Sequence, residues 1–486
     1  MPRIAVVGAT GYVGTRLISS LLCNGHQVRA IGRSLSKLKE RIWSNNSLVE
    51  LVQADALRAD SLGAALNDIE IVYYLIHSMN AGQTHFDQAD RIAAKNVADA
   101  AAAAGVQRII YLAGLGEECE ELSKHLRSRR EVEQILKSGK VPVTILRAAM
   151  IIGAGSASFE ILRYLVDRLP VMITPRWVST ESEPIAISNV VTYLTECVKK
   201  RETVGSTFEI GGGEILTYHD LMRIYAEEAK LPKRFIIPVP VLTPRLSSYW
   251  IHLVTPIDSS VAKPLAEGLR NRVVTRENQV KNLIPQKLLS AREAIRLALN
   301  QNQHFLTGDE SSAEQNILEW VTSGDPKWAG GLVFQDNREQ ILNCDPAGLW
   351  QLLKKIGGDT GWYFADWLWI FRGFLDKLFG GVGMRKVTSN LDKIVPGDVI
   401  DFWRVEKVED NRRLLLRAEM KLPGDAILEF IIKPISSAQI QFRQNARFIP
   451  RGLGGIIYWF LVLPFHHFIF GGMIREISKK AEAEYR

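Results

Sequence analysis

Hydrophobic and polar positions follow one pattern over residues 1–300 of the 486-residue chain and a different one after about residue 330. In the first part, short apolar runs alternate with amphipathic helical stretches. The runs predict six strands: Arg3–Val7, Gln27–Gly32, Leu48–Gln53, Glu70–Ile76, Arg108–Ala113 and Val141–Arg147. Apolar strands separated by helices form parallel sheets with right-handed crossovers and helices on both faces. The pattern therefore predicts an α/β fold with a parallel, doubly wound sheet.

A glycine-rich turn, Gly-Ala-Thr-Gly-Tyr-Val-Gly, lies between the first strand and a helical stretch. A strand, a glycine turn and a helix in this order form the pyrophosphate site of the Rossmann fold. The first glycine permits a tight turn, the second lets the backbone approach phosphate, and the third lets the helix pack on the strand. The predicted cofactor-binding residues here are Gly8, Thr10, Gly11, Tyr12, Val13 and Gly14. The alternative is a glycine-rich turn without a ligand.

The end of the second strand bears on which dinucleotide is bound. An NAD site usually carries an acidic residue there, which bonds the adenosine ribose hydroxyls. This strand ends at Gly32 without an acid, and the guanidinium of Arg33, which follows, suits a 2′-phosphate. We therefore predict NADP(H) binding in preference to NAD(H). The alternative is that Arg33 is a solvated surface arginine.

Residues after the third and fourth strands are also predicted to border the cofactor, since ligands bind at the carboxyl ends of parallel strands. Asp55, followed by Ala56, is a candidate adenine contact; the alternative is that it caps the next helix. Leu75, Ile76 and His77 end the fourth strand. His77 is the residue expected nearest the nicotinamide, and a structural histidine is the alternative.

Composition limits the partners and the compartment. The 60 basic and 53 acidic residues leave a net charge of +7, which permits anionic partners. No zinc-finger, helix-turn-helix or RNA-binding signature is present, so no nucleic acid partner is expected. The four cysteines are far apart, which predicts isolated thiols and no metal site. Because the first strand begins at Arg3, we expect no signal or transit peptide and a cytoplasmic protein.

These features resemble the atypical branch of the short-chain dehydrogenase/reductase superfamily, close to its NmrA-like and extended epimerase-like members. The resemblance is carried by Gly8–Gly14, Arg33, Pro184–Val190 and Phe208–Gly212. It implies an NAD(P)-binding domain over residues 1–300, with a substrate subregion over about 150–300. Ser123–Val178 is similar to a bacterial and cyanobacterial subgroup of NAD(P)-binding oxidoreductases that carries an extra C-terminal domain.

The catalytic pair of that superfamily, Tyr-x-x-x-Lys, is absent, because none of the 12 tyrosines is followed four residues later by Lys. At the corresponding place His125 and Arg129 have the same spacing on one helix face. A histidine exchanges protons near neutral pH, and Arg129 is placed to bond the nicotinamide ribose. With His77, they are the candidate catalytic residues. Three alternatives stay open: another acid, a substrate that needs no tyrosine, or cofactor binding without turnover. For His125 and Arg129 the further alternative is a solvated helix face.

A second domain is predicted over residues 331–486, after a polar linker at 301–330. Asp345 as cap and Pro346 at the first helical position start a helix. Alternating segments then predict an antiparallel meander: Val399–Val405, Arg413–Met420, Ala426–Lys433 and Gln439–Arg447. One helix, a run of strands and a long final helix resemble the helix-grip fold of START and polyketide-cyclase-like (SRPBCC) proteins. That resemblance implies an α+β domain with an apolar cavity; the alternative is a tryptophan-rich core.

The stretch Leu453–Ile474 contains no Asp, Glu, Lys or Arg over 22 positions, long enough to cross a bilayer. Pro464 and four glycines interrupt it. We expect it to be a helix packed over the sheet; the alternatives are association with a membrane surface, which would make the protein peripheral, and a true span.

Taken together, these patterns predict an NADP(H)-dependent oxidoreductase that acts on a small hydrophobic molecule. The missing tyrosine leaves a second hypothesis, an NADP(H)-binding redox sensor or regulator without turnover, as the NmrA-like resemblance implies. The third hypothesis is an assembly factor for a membrane, pigment or quinone complex.

Overall fold

The structure of the protein, a computed structural model, describes residues 2–77, 86–116, 123–239, 254–276, 279–307, 321–385, 394–436 and 439–485. The chain divides into two units. One contains Met1–Gln301 and Glu310–Gly331, and the other contains Asn302–Asp309 and Leu332–Arg486.

The first unit is built from alternating strands and helices. Its strands are β1 Ile4–Val7, β2 Val28–Gly32, β3 Val49–Gln53, β4 Ile71–Tyr74, β5 Arg108–Gly114, β6 Val143–Ala148, β7 Ile151–Ile152, β8 Val171–Pro175, β9 Glu181–Ser182, β10 Ile185–Ala186, β11 Thr207–Ile210, β12 Leu216–Thr217 and β13 Phe235–Val239. Its helices are α1 Tyr12–Cys23, α2 Leu35–Lys39, α3 Ala59–Leu66, α4 Phe86–Ala103, α5 Lys124–Lys137, α6 Ala157–Arg168, α7 Ile187–Cys197, α8 Tyr218–Glu228, α9 Ser259–Gly268, α10 Val280–Leu283 and α11 Ala291–Thr307, whose last residues belong to the second unit.

Seven strands form one parallel sheet in the order β11-β6-β5-β4-β1-β2-β3, which confirms the predicted fold. Strand β1 lies between β2 and β4, so Val7 pairs with both Ile31 and Tyr74. The strand order reverses between β1 and β4, and ligands of such sheets bind at the carboxyl ends near this point. The glycine turn after β1 therefore lies where a dinucleotide site is expected.

Both faces of this sheet are covered. Within β1, Ala5 and Val7 belong to one buried cluster, whereas Ile4 and Val6 belong to another. This burial on both faces explains why the strands are apolar throughout instead of alternating. A further core lies in the second half of the unit, where α6 and α8 pack together and the remaining strands pair two by two.

The second unit is an α+β domain with a six-stranded antiparallel sheet in the order β14-β19-β18-β17-β16-β15. Its strands are β14 Phe334–Leu342, β15 Val399–Ile400, β16 Trp403–Glu409, β17 Arg413–Ala418, β18 Gly424–Pro434 and β19 Ile440–Pro450. Its helices are α12 Pro346–Lys354, α13 Asp366–Leu378 and α14 Gly452–Glu484.

Helix α14 packs against β14, β19 and α12, with Phe470, Met473 and Ile477 in the core. It is the one helix among the described residues that is long and apolar enough to cross a membrane, judged by length and composition. The tryptophans that suggested an aromatic cavity mostly fill the core. Those at 350, 362, 369, 403 and 459 are buried, and Trp362 stacks on Trp369 with ring centroids 4.8 Å apart.

One local prediction for this unit is wrong. The segment predicted as one strand, Val399–Val405, is two strands, because Asp401 turns the chain with φ of +55°. The predicted start of α12 is confirmed, with Asp345 at the N-cap position and Pro346 as the first helical residue, although the Asp345 side chain makes no capping hydrogen bond. Helix α13 is absent from the sequence prediction, and β14 is an additional strand that pairs with β19.

Candidate functional site

A cavity of about 1090 Å³ lies at the carboxyl edge of the parallel sheet. The residues that follow β1, β2, β3, β4, β5 and β6 all contribute to its lining. Every candidate residue of the sequence analysis lies on this lining: Gly8, Thr10, Gly11, Tyr12, Val13, Gly14, Arg33, Asp55, Ala56, Leu75, Ile76, His77, His125 and Arg129. The topology therefore brings together residues that are up to 121 positions apart in the chain (129 − 8).

The glycine turn has a shape that side chains would destroy. Gly8 has a φ of +99°, and a Cβ there would lie 2.7 Å from the carbonyl oxygen of Leu75. A Cβ on Gly14 would overlap the carbonyl oxygen of Gly8, so the helix packs directly on the turn. Gly11 is the N-cap of α1, and no side chain caps the helix. The positive end of α1 therefore faces the cavity without a side-chain acceptor, as a pyrophosphate site requires.

A cationic turn follows β2. Arg33, Ser34 and Lys37 all line the cavity, and both Arg33 and Lys37 are exposed. Ser34 caps α2 by accepting a hydrogen bond from the amide of Lys37, at 3.4 Å. This cap holds the two cations on the same short turn, at the place where the ribose of a bound dinucleotide would end.

Behind this turn lies a buried ion cluster that the sequence analysis did not predict. Asp325 accepts hydrogen bonds from Arg16 and Arg41, both at 3.1 Å. Arg41 also donates to the carbonyl oxygen of Thr10 in the glycine turn, at 2.6 Å. Asp325 and Trp328 line the cavity as well. The segment Val321–Gly330, which falls inside the predicted linker, thus packs on the nucleotide-binding unit.

Asp55 has a structural role in its own turn. Its carboxylate accepts a hydrogen bond from the amide of Leu57 at 3.0 Å, while the N-cap of α3 is Arg58. The alternative that Asp55 caps this helix is therefore wrong. Asp55 lies on the cavity lining, and its contact with the adenine of a bound nucleotide stays a prediction.

The candidate catalytic residues form one cluster. The rings of His77 and His125 stack, with centroids 4.9 Å apart and planes 23° from parallel. Arg129, one turn after His125 on α5, donates to the carbonyl oxygen of Ile76 at 3.1 Å. Arg129 is buried, so the alternative of a solvated helix face is wrong.

Both imidazoles in this cluster are held neutral. Burial and the positive charge of Arg129 lower the pKa of His125 to about 3. Burial, Arg129 and His125 lower the pKa of His77 well below its usual value. At neutral pH neither side chain is an imidazolium, so each has one N–H donor and one acceptor nitrogen.

Three polar atoms of the cluster are buried without a hydrogen-bond partner among the described residues: Nδ1 of His77, Nδ1 of His125 and Nη2 of Arg129. Buried polar atoms are normally paired, and unpaired ones at a cavity are expected to meet a ligand. Together with the uncapped helix and the turn that excludes side chains, they fit a dinucleotide with a substrate beside it.

The rest of the lining is largely apolar and carries residues that the sequence analysis missed. Leu112–Leu115 at the end of β5 brings no hydroxyl to the site, as its sequence indicated. Met150, Leu265, Leu269 and Trp328 add apolar surface. Tyr218, the other notable addition, is buried, and burial raises its pKa to about 12. No local motif marks these positions, because they come from separate elements.

The fold and this site define a Rossmann-type NAD(P)H-binding domain. Residues 8–163 match a family model described as NAD(P)H-binding. Residues 328–473 match a second family, described as a protein of unknown function (DUF2867). The N-terminal unit is thus oxidoreductase-like, and the second unit carries no assigned activity.

Two curated relatives illustrate the similarity. The chain is 24% identical over 242 residues to the mitochondrial NADH dehydrogenase [ubiquinone] 1 alpha subcomplex subunit 9 of Arabidopsis thaliana; the match covers 49% of this chain and 60% of the relative. It is 26% identical over 249 residues to the photosystem II assembly factor Ycf39 of Cyanophora paradoxa, covering 49% of this chain and 73% of the relative.

Among solved structures, the chain is similar to the NADPH-dependent quinone oxidoreductase QOR2 of Escherichia coli, complexed with NADPH. The TM-score is 0.50 at 20% identity, and the match covers 60% of this chain and 98% of that structure. At this identity the likeness concerns the fold of the first unit alone.

Proposed function

We propose that the protein is an NADP(H)-dependent oxidoreductase whose substrate is a hydrophobic molecule bound in the cavity of the first unit. The observation that carries the proposal is a single cavity that joins the glycine turn, the cationic turn and the histidine cluster. Its volume of about 1090 Å³ lies at the upper end of ligand pockets, which leaves room beside a dinucleotide.

Preference for the phosphorylated cofactor follows from charge. Arg33 and Lys37 line the cavity on one turn, while the buried cation Arg41 is paired with Asp325, which it shares with Arg16. Two exposed cations without an acid at the end of β2 attract a 2′-phosphate and offer no acceptor for ribose hydroxyls.

At the other end of the cavity, the chain can hold a polar atom of an otherwise apolar substrate. Bound NADP(H) supplies or accepts the hydride. The neutral imidazoles of His77 and His125 can donate hydrogen bonds to a substrate oxygen, and Arg129 stabilises negative charge that develops on it. Burial and Arg129 lower the pKa of His125 to about 3, so His125 acts in this proposal as a neutral hydrogen-bond donor and not as an imidazolium.

Calorimetric titration with NADPH and NADH tests the cofactor. We expect Arg33→Ala to weaken NADPH binding by roughly tenfold or more, as for the loss of a charge-assisted hydrogen bond, and to leave NADH binding unchanged. Lys39→Ala is the matched control, since Lys39 is an exposed cation on α2, shortly after Arg33, but lies off the lining. Equal affinity for both nucleotides, or equal weakening of both by Arg33→Ala, would contradict the proposal.

A second candidate, nucleotide binding without turnover, is favoured by one observation: the cluster has no group that titrates near neutral pH to serve as proton donor. The assembly factor in the name of one relative is compatible with it. Mixing NADPH-loaded protein with a panel of quinones and hydrophobic ketones separates the two candidates. If a compound oxidises NADPH and the His125→Ala variant does so more slowly, the result supports an enzyme. If no compound oxidises NADPH, the result supports nucleotide binding without turnover.

A further inference from the structure

Helix α13 presents an apolar stripe to solvent. Its inward face carries Trp369, Gly373 and Asp376, which are buried. Six large hydrophobic side chains lie on the opposite side or directly after the helix, with exposed fractions between 54% for Phe371 and 68% for Leu378: Trp367, Ile370, Phe371, Phe374, Leu378 and Phe379. The spacing of three and four residues is that of an amphipathic helix whose apolar face points outward.

The first half of α14 presents a second stripe. Gly455 and Trp459 face inward, where Trp459 stacks on Phe334 with ring centroids 5.0 Å apart. Six apolar side chains on the other side are exposed, from 40% for Leu453 to 69% for Leu461: Leu453, Ile457, Phe460, Leu461, Phe465 and Phe468. Only 17% of the most apolar 18-residue window of this helix is buried.

The segment just before α13 lies against the stripe of α14. Phe364, just before α13, packs edge-on against Phe468 of α14, with ring centroids 5.1 Å apart. The twelve exposed side chains, all of them in the second unit, are here named the apolar face. Soluble monomers seldom leave an apolar surface of this kind exposed, and such surfaces mark sites of interaction.

A transmembrane span does not fit this geometry. The second half of α14, from Phe470 to Ala481, is part of the core of its own domain. The exposed part, Leu453–Phe468, extends only about 24 Å, shorter than the ~30 Å hydrocarbon thickness, and one side of it is packed on the sheet. The apolar face can lie along a surface but cannot cross a bilayer.

Charges near the apolar face favour an anionic surface. On α13, Lys377 is exposed and Arg372 is half-buried. Of the two acids of this helix, Asp376 is buried and accepts the amides of Gly383 and Lys421, and Asp366 in the first turn is exposed and accepts the amide of Trp362. The ammonium group of Lys421 lies 3.1 Å from the carbonyl oxygen of Phe379, at the end of this stripe. The exposed stripe of α14 carries no acid at all. Aromatic and aliphatic side chains flanked by cations are the pattern of helices that lie in a membrane interface.

From the exposed stripes, the contact of Phe364 with Phe468 and the cations beside the stripes, we infer that the apolar face binds the surface of a bilayer containing anionic lipids, with α13 and the first half of α14 lying in the interface. The second unit then holds the oxidoreductase-like unit at a membrane, where hydrophobic substrates are dissolved. The inference does not depend on the proposed enzymatic activity.

Flotation of the full-length protein with vesicles tests it, using phosphatidylcholine alone and phosphatidylcholine with phosphatidylglycerol. We expect binding to the mixed vesicles that falls as salt is raised. Ile370→Gln combined with Ile457→Gln should weaken binding by roughly tenfold or more, because two apolar groups are lost from the interface. Phe371→Gln combined with Phe374→Gln should do the same.

The chain offers a closely matched control. Ile341 and Ile435 lie in the same unit but outside the stripes, and their exposed fractions of 62% and 53% match the 60% and 52% of Ile370 and Ile457. The double variant Ile341→Gln with Ile435→Gln should bind vesicles like the unchanged protein. NADPH binding measured in every variant reports that the first unit remains folded.

Three results would overturn the inference. The first is no flotation with either vesicle, and the second is equal weakening by the control pair. The third is a protein that does not float, sediments as a dimer, and becomes a monomer in the double variant Ile370→Gln with Ile457→Gln. That result would mean that the apolar face pairs with a second copy of the chain.

Discussion

Removing the carboxylate of Asp325 should destabilise the first unit strongly. Asp325 is 2% exposed and accepts hydrogen bonds from Arg16, Arg41 and both the amide and the hydroxyl of Thr322. The side chains of Arg16 and Arg41 are themselves only 0% and 4% exposed. Asp325→Ala therefore leaves two buried guanidinium groups without their counter-ion.

Loss of one partner from a buried ion pair costs about 3–5 kcal/mol, because the remaining charge stays buried without compensation. With a denaturant dependence of ~3 kcal/mol per molar urea, the midpoint of unfolding of this unit should fall by roughly 1–1.7 M. Asp325→Asn keeps the shape and part of the hydrogen bonding, so its effect should be smaller.

The measurement is proteolysis of the protein at increasing urea concentrations, with and without NADPH. Because NADPH is expected to protect the first unit, the protection that it gives reports the unfolding of this unit separately from that of the second unit. Asp60→Ala is the control, because Asp60 forms an ion pair with Arg58 at 3.0 Å but both side chains are about 70% exposed. Exposed pairs contribute little to stability. The reasoning is refuted if Asp325→Ala lowers the midpoint no more than Asp60→Ala does.

Three further predictions concern the first unit. Gly14→Ala should abolish NADPH binding in calorimetry, because its Cβ would overlap the carbonyl oxygen of Gly8; Gly63→Ala, in open space, should bind normally. Burial raises the pKa of the Asp167 carboxyl from 3.8 to about 6, so the folded state binds the proton more tightly than the unfolded state does. The stability of the first unit should therefore fall as pH rises from 3.8 to about 6. In thermal melts, Asp167→Asn should make the melting temperature depend less on pH over this range. The pKa of His125 is lowered from 6.5 to about 3, so the stability that neutral His125 gives to the folded state should be lost as pH falls from 6.5 to about 3. His125→Gln should therefore reduce the fall of the melting temperature in acid.

Much of the nucleotide-binding region could be predicted because its signals are local. The glycine turn needs a positive φ at Gly8 and a close helix at Gly14, and both requirements are visible within seven residues. The central strands β1 and β4 are buried on both faces, so each is a continuous apolar run. The rule that ligands lie at the carboxyl ends of parallel strands then selects His77 and Arg33.

Helix α13 shows where pattern reasoning fails. Its apolar side chains repeat with a helical period, but the inward face is held by Trp369 and the small residue Gly373, while Phe371 and Phe374 point to solvent. Period alone cannot tell an apolar face in a core from one left exposed. The turn at Asp401 was missed for a related reason: its carboxylate accepts from the indole of Trp362, 39 residues away.

The sequence by itself determined the Rossmann-type sheet, the glycine turn and the family resemblance, because these depend on residues that are neighbours in the chain. Only the tertiary structure decided that Asp325 pairs with Arg16, 309 residues away, and that His77 stacks on His125 beside Arg129. Burial changes the charge state and pairing of such groups, and burial is a property of the packed chain. The same holds for the apolar face, because one side of each of its two helices is buried in the domain core and the other side is exposed.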